Sequence, residues 1–433
     1  MGAKARVNSF RKLLAHLRDE LGLDMGFRLW DGSLEPEGWP ENAFTIRITD
    51  EGVVAALVRS PKAETLANIW VTKRIDFENG TLFDLLERRP QMRSREMRKR
   101  VSKLKLGATL SRFLFVSRGG PWPLDDVAPN RPTDGSEAEN KRNIAFHYDV
   151  SNAFYALFLD REMVYTCGYA RTSDSDLDRM QRDKLEMICR KLRLKPGETL
   201  LDIGSGWGGL CLYAAEHYGV TTLGVTLSEN QIAYAREKAE KMGLSDRCRF
   251  ELKDYAAVEG TFDKVVSVGF FEHVGFDNFP TYYQTVNRVL KPSGIFLHHA
   301  ITRPAKRDPR DNRVQSRDQQ LLTRYIFPGG ALDNIGGTIQ QMEQFGFEVH
   351  DVENWREHYA RTCRLWHDRL SAHYDEAVME GGEITTRLWL VYLAACSIAF
   401  ERNSARIYQT VATPRRRGPS VLPKTREDLY RED

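Results

Sequence analysis

An apolar run that ends in charge is the first chemical clue. In "VVSVGFFEHVGFDN", Val265 to Asn278, β-branched residues suited to a buried strand stop at Glu272 and His273, ahead of a glycine turn at Gly275. A carboxylate closing a buried strand is costly unless it is paired or used. The two residues are adjacent, with no H-x-x-x-H or H-x-E companion, so no metal site is indicated. A second clue is "LLDIGSGWGGL", Leu200 to Leu210, where Asp202, Gly204, Gly206 and Gly208 read as a strand-to-turn-to-helix junction. Glycines there let the backbone approach a ligand closely. The spacing is D-x-G-x-G-x-G, not the G-x-G-x-x-G of a dinucleotide fingerprint. The acid also comes first, where it can face a cationic amino-acid moiety. That favours S-adenosylmethionine over nicotinamide or flavin. "GVTLSENQ" then offers Thr226, Ser228 and Gln231 where a nicotinamide enzyme would carry an acid for the ribose, and the next strand ends at Asp254 and Tyr255, placed by order for an adenine.

These residues need elements to hold them. Seven strand candidates, "TLLDIG", "TTLGVTL", "CRFELKD", "KVVSVGF", "GIFLHHAI", "FEVHDVE" and "RIYQTVA", alternate with helical patterns such as 229–242. Alternation of this kind predicts a doubly wound α/β sheet with ligands at the carboxyl ends of its strands. Upstream, 7–23 reads as an amphipathic helix, and "FTIRITDEGVVAALV" and "IWVTKRIDFENG" read as strands with turns, giving a small α+β domain. The chain of 433 residues is too long for one core. The expected division is a first domain over 1–118, a Pro/Gly/acid-rich linker over 119–140 and a second domain over 141–433.

Composition narrows the class. The net charge of +3 gives no global field for nucleic acid, and the six scattered cysteines form no C-x-x-C pair, which fits a reducing cytoplasm. The N-terminus lacks the apolar core of a signal peptide or a membrane span, so a soluble protein, peripheral to a membrane at most, is expected. Within 88–107 nine Lys or Arg residues face one acid, Glu96. Such a segment suits anionic lipid headgroups, and equally a solvated helix or linker.

Taken together, "FHYDVSNAFYALFLDREMVYTCGYA", "LLDIGSGWGGL", "GVTLSENQ", "VVSVGFFEHVG" and "RYIFPGG" resemble, in order, the signatures of the cyclopropane-fatty-acyl-phospholipid synthases and the allied mycolic acid methyltransferases. The resemblance spans Asn143 to about Val411. A looser likeness, in layout and in "FENGTLFDLLE", links the first part to the lipid-binding domain of the bacterial phospholipid synthases. It implies a class I, Rossmann-like, seven-stranded methyltransferase sheet acting on the cis double bond of phospholipid acyl chains. It also implies that S-adenosylmethionine is held by Tyr165 and Thr166, by Gly204 and Gly206, and by Thr226, Leu227 and Gln231. A bicarbonate ion is implied at Cys167, Glu272, His299, the Ile301 amide and Tyr325. Three features depart from the family: Ala170, "ALDN" at 331–334, and the charged loop 302–320.

Such chemistry has clear needs. An alkene has no acidic proton, so a base gains nothing before methyl transfer; alignment with the sulfonium does the work. The resulting cation needs shielding from water, for which Phe271 and Tyr325 are candidates, and ring closure then needs a small base in a dry pocket. Each residue also has an ordinary reading: Cys167 as a buried small hydrophobe, His299 as a satisfied core histidine, Tyr325 as packing under its turn. His273 is expected to support Glu272. The leading expectation is cyclopropane formation on inner-leaflet phospholipid by a cytoplasmic, peripherally bound enzyme. Methyl-branched or methylene-bearing products stay open, as do a homodimer, a partner enzyme, and a non-catalytic lipid-binding protein on the same fold. A nucleic-acid methyltransferase is disfavoured, since no N-P-P-Y type motif is present.

Overall fold

The computed structural model describes residues 2–88, 94–125, 150–308 and 331–431. The chain divides into two compact units, one of 1–129 with 382–394 and one of 130–381 with 395–433.

In the first unit, helix α1 (Ala3–Leu21) turns Val7, Phe10, Leu13 and Leu14 into a core shared with Phe27, Phe44 and Phe113. Strands β1 (Gly26–Arg28), β2 (Leu34–Glu35), β3 (Thr45–Ile48) and β4 (Ile75–Glu78) form a sheet ordered β2-β1-β3-β4. The two stretches expected as strands are strand only in part: the first holds β3 and then helix α2 (Glu51–Arg59), and the second begins in the end of helix α3 (Ala63–Val71) before β4. In α2 the consecutive residues Val53, Val54, Ala55 and Ala56 are all buried, a helical patch rather than the in-and-out alternation of a strand. Asp50 at the N-cap and Glu51 in the first turn suit the positive end of the helix dipole. Further helices follow, among them α4 (Ser94–Arg100) and α5 (Lys103–Leu110).

The segment 382–394, assigned by sequence to the second domain, belongs to this first unit, and Arg387 accounts for it. Its buried guanidinium donates to the Trp70 carbonyl at 2.8 Å and to Asp76 Oδ1 at 3.2 Å, and lies 4.0 Å from the Trp70 ring centroid. Satisfying a buried charge so fully fixes the segment where its partners are. Arg387 sits in helix Glu383–Glu401, which has the length and composition of a membrane span but buries Thr386, Trp389, Leu393 and Ser397 as one stripe in protein.

In the second unit, seven strands form one sheet ordered β10-β11-β9-β8-β5-β6-β7: β5 (Thr199–Ile203), β6 (Thr221–Thr226), β7 (Cys248–Leu252), β8 (Phe262–Val268), β9 (Leu290–Thr302), β10 (Phe347–Asn354) and β11 (Arg406–Pro414). All seven match the strands expected from sequence. Only β11 runs antiparallel to its neighbours, β9 and β10. Side chains alternate across the sheet. Leu200, Val266 and Leu297 pack toward α6 (Leu177–Leu192), whereas Leu201, Val265 and Phe296 join Tyr282 and Val286 of the helix Phe279–Val289. Each such buried side chain contributes about 1.5–3 kcal/mol, and burial on both faces explains the near-continuous apolar runs. The same alternation sends His298 to one face and His299 to the other.

Candidate active site

The carboxyl ends of β5, β6 and β8 open onto a cavity lined by Tyr165, Thr166, Lys184, Asp202, Gly206 and Gly269, among others. It lies where the strand order reverses beside β5, the expected place for a ligand in an open α/β sheet. The glycines are there for backbone reasons: Gly204, Gly206 and Gly208 take φ values of 82°, 54° and 85°. A Cβ on Gly204 would also come within 2.6 Å of the Phe270 ring. Gly208 caps the helix Gly209–Tyr218, whose free amides follow the turn.

Tyr165, Thr166, Asp202, Gly204, Gly206 and Gln231 of the expected cofactor set line this cavity. Asp202 is buried, and burial pushes its carboxyl up to about 7 against the pull of Lys184. The other expected residues shape the neighbourhood. Thr226 donates from Oγ1 to Gln231 Oε1 at 3.0 Å, and Ser228 caps the helix Glu229–Lys241 by accepting from the Gln231 amide. Leu227 is half-buried between them. Asp254 accepts from the Ala256 amide at 2.8 Å, capping a short turn, and Tyr255 is buried edge-on to Phe270, with ring centroids 5.6 Å apart.

Lys184 and Gln181 escaped the sequence reading. Gln181 Nε2 donates to the carbonyls of Val164 and Thr166, and Lys184 Nζ donates to Thr166 Oγ1 at 3.0 Å. The pair therefore clamps the segment that carries Tyr165, Thr166 and Cys167. Burial lowers the Lys184 ammonium to about 8, with Asp160 opposing the shift. A signal existed: Leu177, Gln181, Lys184, Ile188 and Lys191 fall on one buried stripe of α6, so its polar members sit at core positions.

Three residues beyond the cavity-lining Gly269, Glu272 follows β8 and is buried. Burial pushes its carboxyl up to about 7, against the Ile301 amide, which donates to Oε1 at 2.5 Å. Glu272 Oε2 has no hydrogen-bond partner among the described residues. The Ile301 amide, expected to hold an ion, donates to the glutamate in this structure and so orients it. Two residues earlier on β9, His299 packs its ring edge-on to Trp355 at 5.3 Å, and its carbonyl accepts from the cavity-lining Gly269 amide. Burial drives the His299 ring well below the usual imidazole range, and its Nε2 has no partner among the described residues. Cys167 is fully buried, its Sγ 3.7 Å from the Trp355 carbonyl; burial raises its thiol, leaving it a neutral donor. Glu272 and Ile301 are thus joined directly, and Cys167 and His299 flank Trp355. Tyr325 lies outside the described residues. His298, by contrast, is a core histidine in contact with Tyr282 Oη at 3.2 Å. Phe271, expected to shield a cation, is also core, stacked on Phe279 at 4.1 Å; Phe270 is the ring beside the glycine turn.

The model of the mycolic acid cyclopropane synthetase family matches residues 135–410. The chain belongs to that family. It is 36% identical to a probable fatty acid methyltransferase of Pseudomonas putida, over 95% of this chain and 97% of that one. It is 38% identical to the cyclopropane-fatty-acyl-phospholipid synthase of Escherichia coli K12, over 61% of this chain and 66% of that one. A crystal structure of a mycolic acid cyclopropane synthase complexed with SAH and CTAB superposes with a TM-score of 0.60 at 30% identity, covering 63% of this chain and 98% of that one. The protein is an S-adenosylmethionine-dependent methyltransferase of the cyclopropane synthase family, and the cavity at Asp202 and Gly204 has the donors and acceptors for that cosubstrate.

Proposed function

We propose that the protein transfers a methylene unit from S-adenosylmethionine to the cis double bond of unsaturated phospholipid acyl chains, giving cyclopropanes, with bicarbonate held between Glu272 and His299. The observation that carries this reading is the pair of buried polar atoms, Glu272 Oε2 and His299 Nε2, that have no partner among the described residues. Buried polar atoms in folded proteins are paired almost without exception, so two on neighbouring backbone, Glu272 bonded to the Ile301 amide and His299 two residues before Ile301 on β9, suit a small polar guest. Glu272 Oε2 can accept a hydroxyl and His299 Nε2 can donate to an oxyanion, whereas the Cys167 thiol, 3.2 Å from the Gly168 carbonyl, donates there only by turning from that carbonyl. Bound there, bicarbonate supplies the base that ring closure requires. The residues fix its orientation and keep water out, which matters because a cation forms when an alkene attacks a sulfonium methyl.

A second reading has specific support. A relative that matches along 95% of the chain is named a probable fatty acid methyltransferase, whereas the cyclopropane synthase of Escherichia coli matches over 61% of this chain. Under that reading the cation loses a different proton and a methyl-branched or methylene-bearing chain results.

Access to lipid is proposed through the first unit, from the cytoplasmic face of the inner leaflet. Leu104 and Phe115 are 86% and 98% exposed, the first between exposed Lys103 and Lys105 and the second three residues after exposed Arg112. Apolar side chains presented among cations suit an anionic bilayer surface. Arg88, at the start of the basic segment, is paired with Asp24 instead. Incubation of the purified chain with methyl-labelled cosubstrate and vesicles of unsaturated or saturated phospholipid tests the reading. Label should enter only the unsaturated lipid; equal labelling of both, or transfer to the headgroup, would sink it.

A further inference from the structure

The two ring nitrogens of His299 have different surroundings. Nδ1 lies 3.0 Å from Gln409 Nε2, while Nε2 has no hydrogen-bond partner among the described residues. Which nitrogen carries the proton is decided one residue further away. Lys191 Nζ donates to Gln409 Oε1 at 2.7 Å and also pairs with Glu353. An ammonium has only donors to offer, so the amide oxygen of Gln409 must face Lys191 and its NH2 group must face His299. That NH2 group can only donate, so Nδ1 must accept. A neutral imidazole whose Nδ1 accepts carries its proton on Nε2.

We propose that Lys191 and Gln409 are positioning residues that lock His299 in its Nε2–H tautomer, so that the ring presents a fixed donor to an oxyanion beside Glu272. The inference rests on the reading of that site as a bicarbonate site. The chain of contacts is buried throughout: Lys191, Gln409 and His299 are 1%, 0% and 0% exposed. Each member comes from a different element, Lys191 from α6, Gln409 from β11 and His299 from β9, and β11 pairs Gln409 directly with His299 in register. A lysine on the buried stripe of α6 is costly, since taking an ammonium out of water is repaid only by close partners. Here those are the Glu353 carboxylate, the Gln409 oxygen and the face of Trp355, 5.2 Å from Nζ. An apolar residue would fill the stripe more cheaply but would leave the Gln409 amide free to turn over, and with it the proton on His299. The lock matters because a ring turned to its other tautomer would aim a lone pair, not a proton, at an anion.

Nitrogen-15 NMR of the full chain labelled at histidine reads the tautomer directly, with the His299 signals assigned by their loss in His299→Asn. Wild type should show Nε2 protonated and Nδ1 bare; a proton on Nδ1 overturns the lock. Gln409→Glu keeps the shape but replaces the donor with an acceptor. It should move the proton to Nδ1 and cost about 10²-fold in bicarbonate-stimulated turnover, the scale of losing one preorganised donor to an oxyanion. Affinity for S-adenosylhomocysteine should stay within about twofold of wild type, since Gln409 does not line the cofactor cavity. A moved proton with wild-type turnover would overturn the role in catalysis. Should Gln409→Glu fail to fold, Lys191→Met frees the same amide, and a single unchanged tautomer there would equally contradict the relay. Turnover indifferent to added bicarbonate in wild type, with the proton on Nε2, would instead bring down the bicarbonate reading while the tautomer assignment stands.

Discussion

At the scale of the residue, Glu272 is the side chain on which most depends. Its folded-state pKa, about 7, lies above the ordinary carboxyl value of 4.5. The native state therefore holds this proton more tightly than the unfolded chain does. Its contribution to stability is fully present below about pH 4.5 and is lost as pH rises to about 7, with an amplitude on the order of 1–3 kcal/mol. Glu272→Gln should lack that loss, so the stability difference between variant and wild type should widen in the variant's favour over this window, as read by urea titrations. Turnover should move the opposite way, because the ionised carboxylate is the stronger acceptor for a hydroxyl, whereas a protonated Oε2 offers a donor instead. Activity rises through about pH 7, and Glu272→Gln loses at least about 10²-fold in turnover with cofactor affinity nearly unchanged. Loss of cofactor binding in calorimetry would mean that Glu272 serves the cosubstrate instead. The sequence exposed Glu272 because a carboxylate breaks an apolar run visibly. It hid Lys184 and Lys191 because both sit in a helix already crowded with charge, where only the stripe they share with Leu177 and Ile188 sets them apart.

At the scale of the element, the glycine turn after β5 joins sheet to cosubstrate. Gly204 combines a φ of 82° with a Phe270 ring that leaves no room for a Cβ. Gly204→Ala should therefore cost about 1–3 kcal/mol in backbone strain alone and lower cofactor affinity at least about tenfold, measured by calorimetry with S-adenosylhomocysteine. Wild-type affinity in this variant would mean that the turn does not meet the cosubstrate closely. Strands β5 to β11 were legible because parallel strands buried on both faces leave unbroken apolar runs. Helices α2 and α3 were not, since short runs such as "GVVAALV" carry no periodicity that separates strand from helix; packing in the first core decided them. Phe271 and Phe270 illustrate the same limit, because adjacent aromatics point opposite ways and the sequence does not say which faces the turn.

At the scale of the whole molecule, the proposed function needs both a cavity for S-adenosylmethionine and a surface for lipid. If exposed Leu104 and Phe115 enter an anionic bilayer, binding to vesicles should weaken as salt rises, since charges are screened over about 10 Å at 0.1 M. Phe115→Asp should weaken it by about tenfold or more, as sedimentation would show, without altering cofactor affinity. Salt-independent binding with wild-type affinity in the variant would move the contact elsewhere. The segment 382–394 was placed in the wrong unit from sequence for a related reason: chain order carries no sign that Arg387 closes onto Trp70 and Asp76, more than three hundred residues earlier. Proton NMR of lipid recovered from the purified enzyme, S-adenosylmethionine, bicarbonate and unsaturated phospholipid vesicles tests the central claim most directly. The account predicts upfield cyclopropane ring protons appearing as the olefinic signals fall. A methyl branch or an exocyclic methylene in their place, with no ring protons, would contradict it.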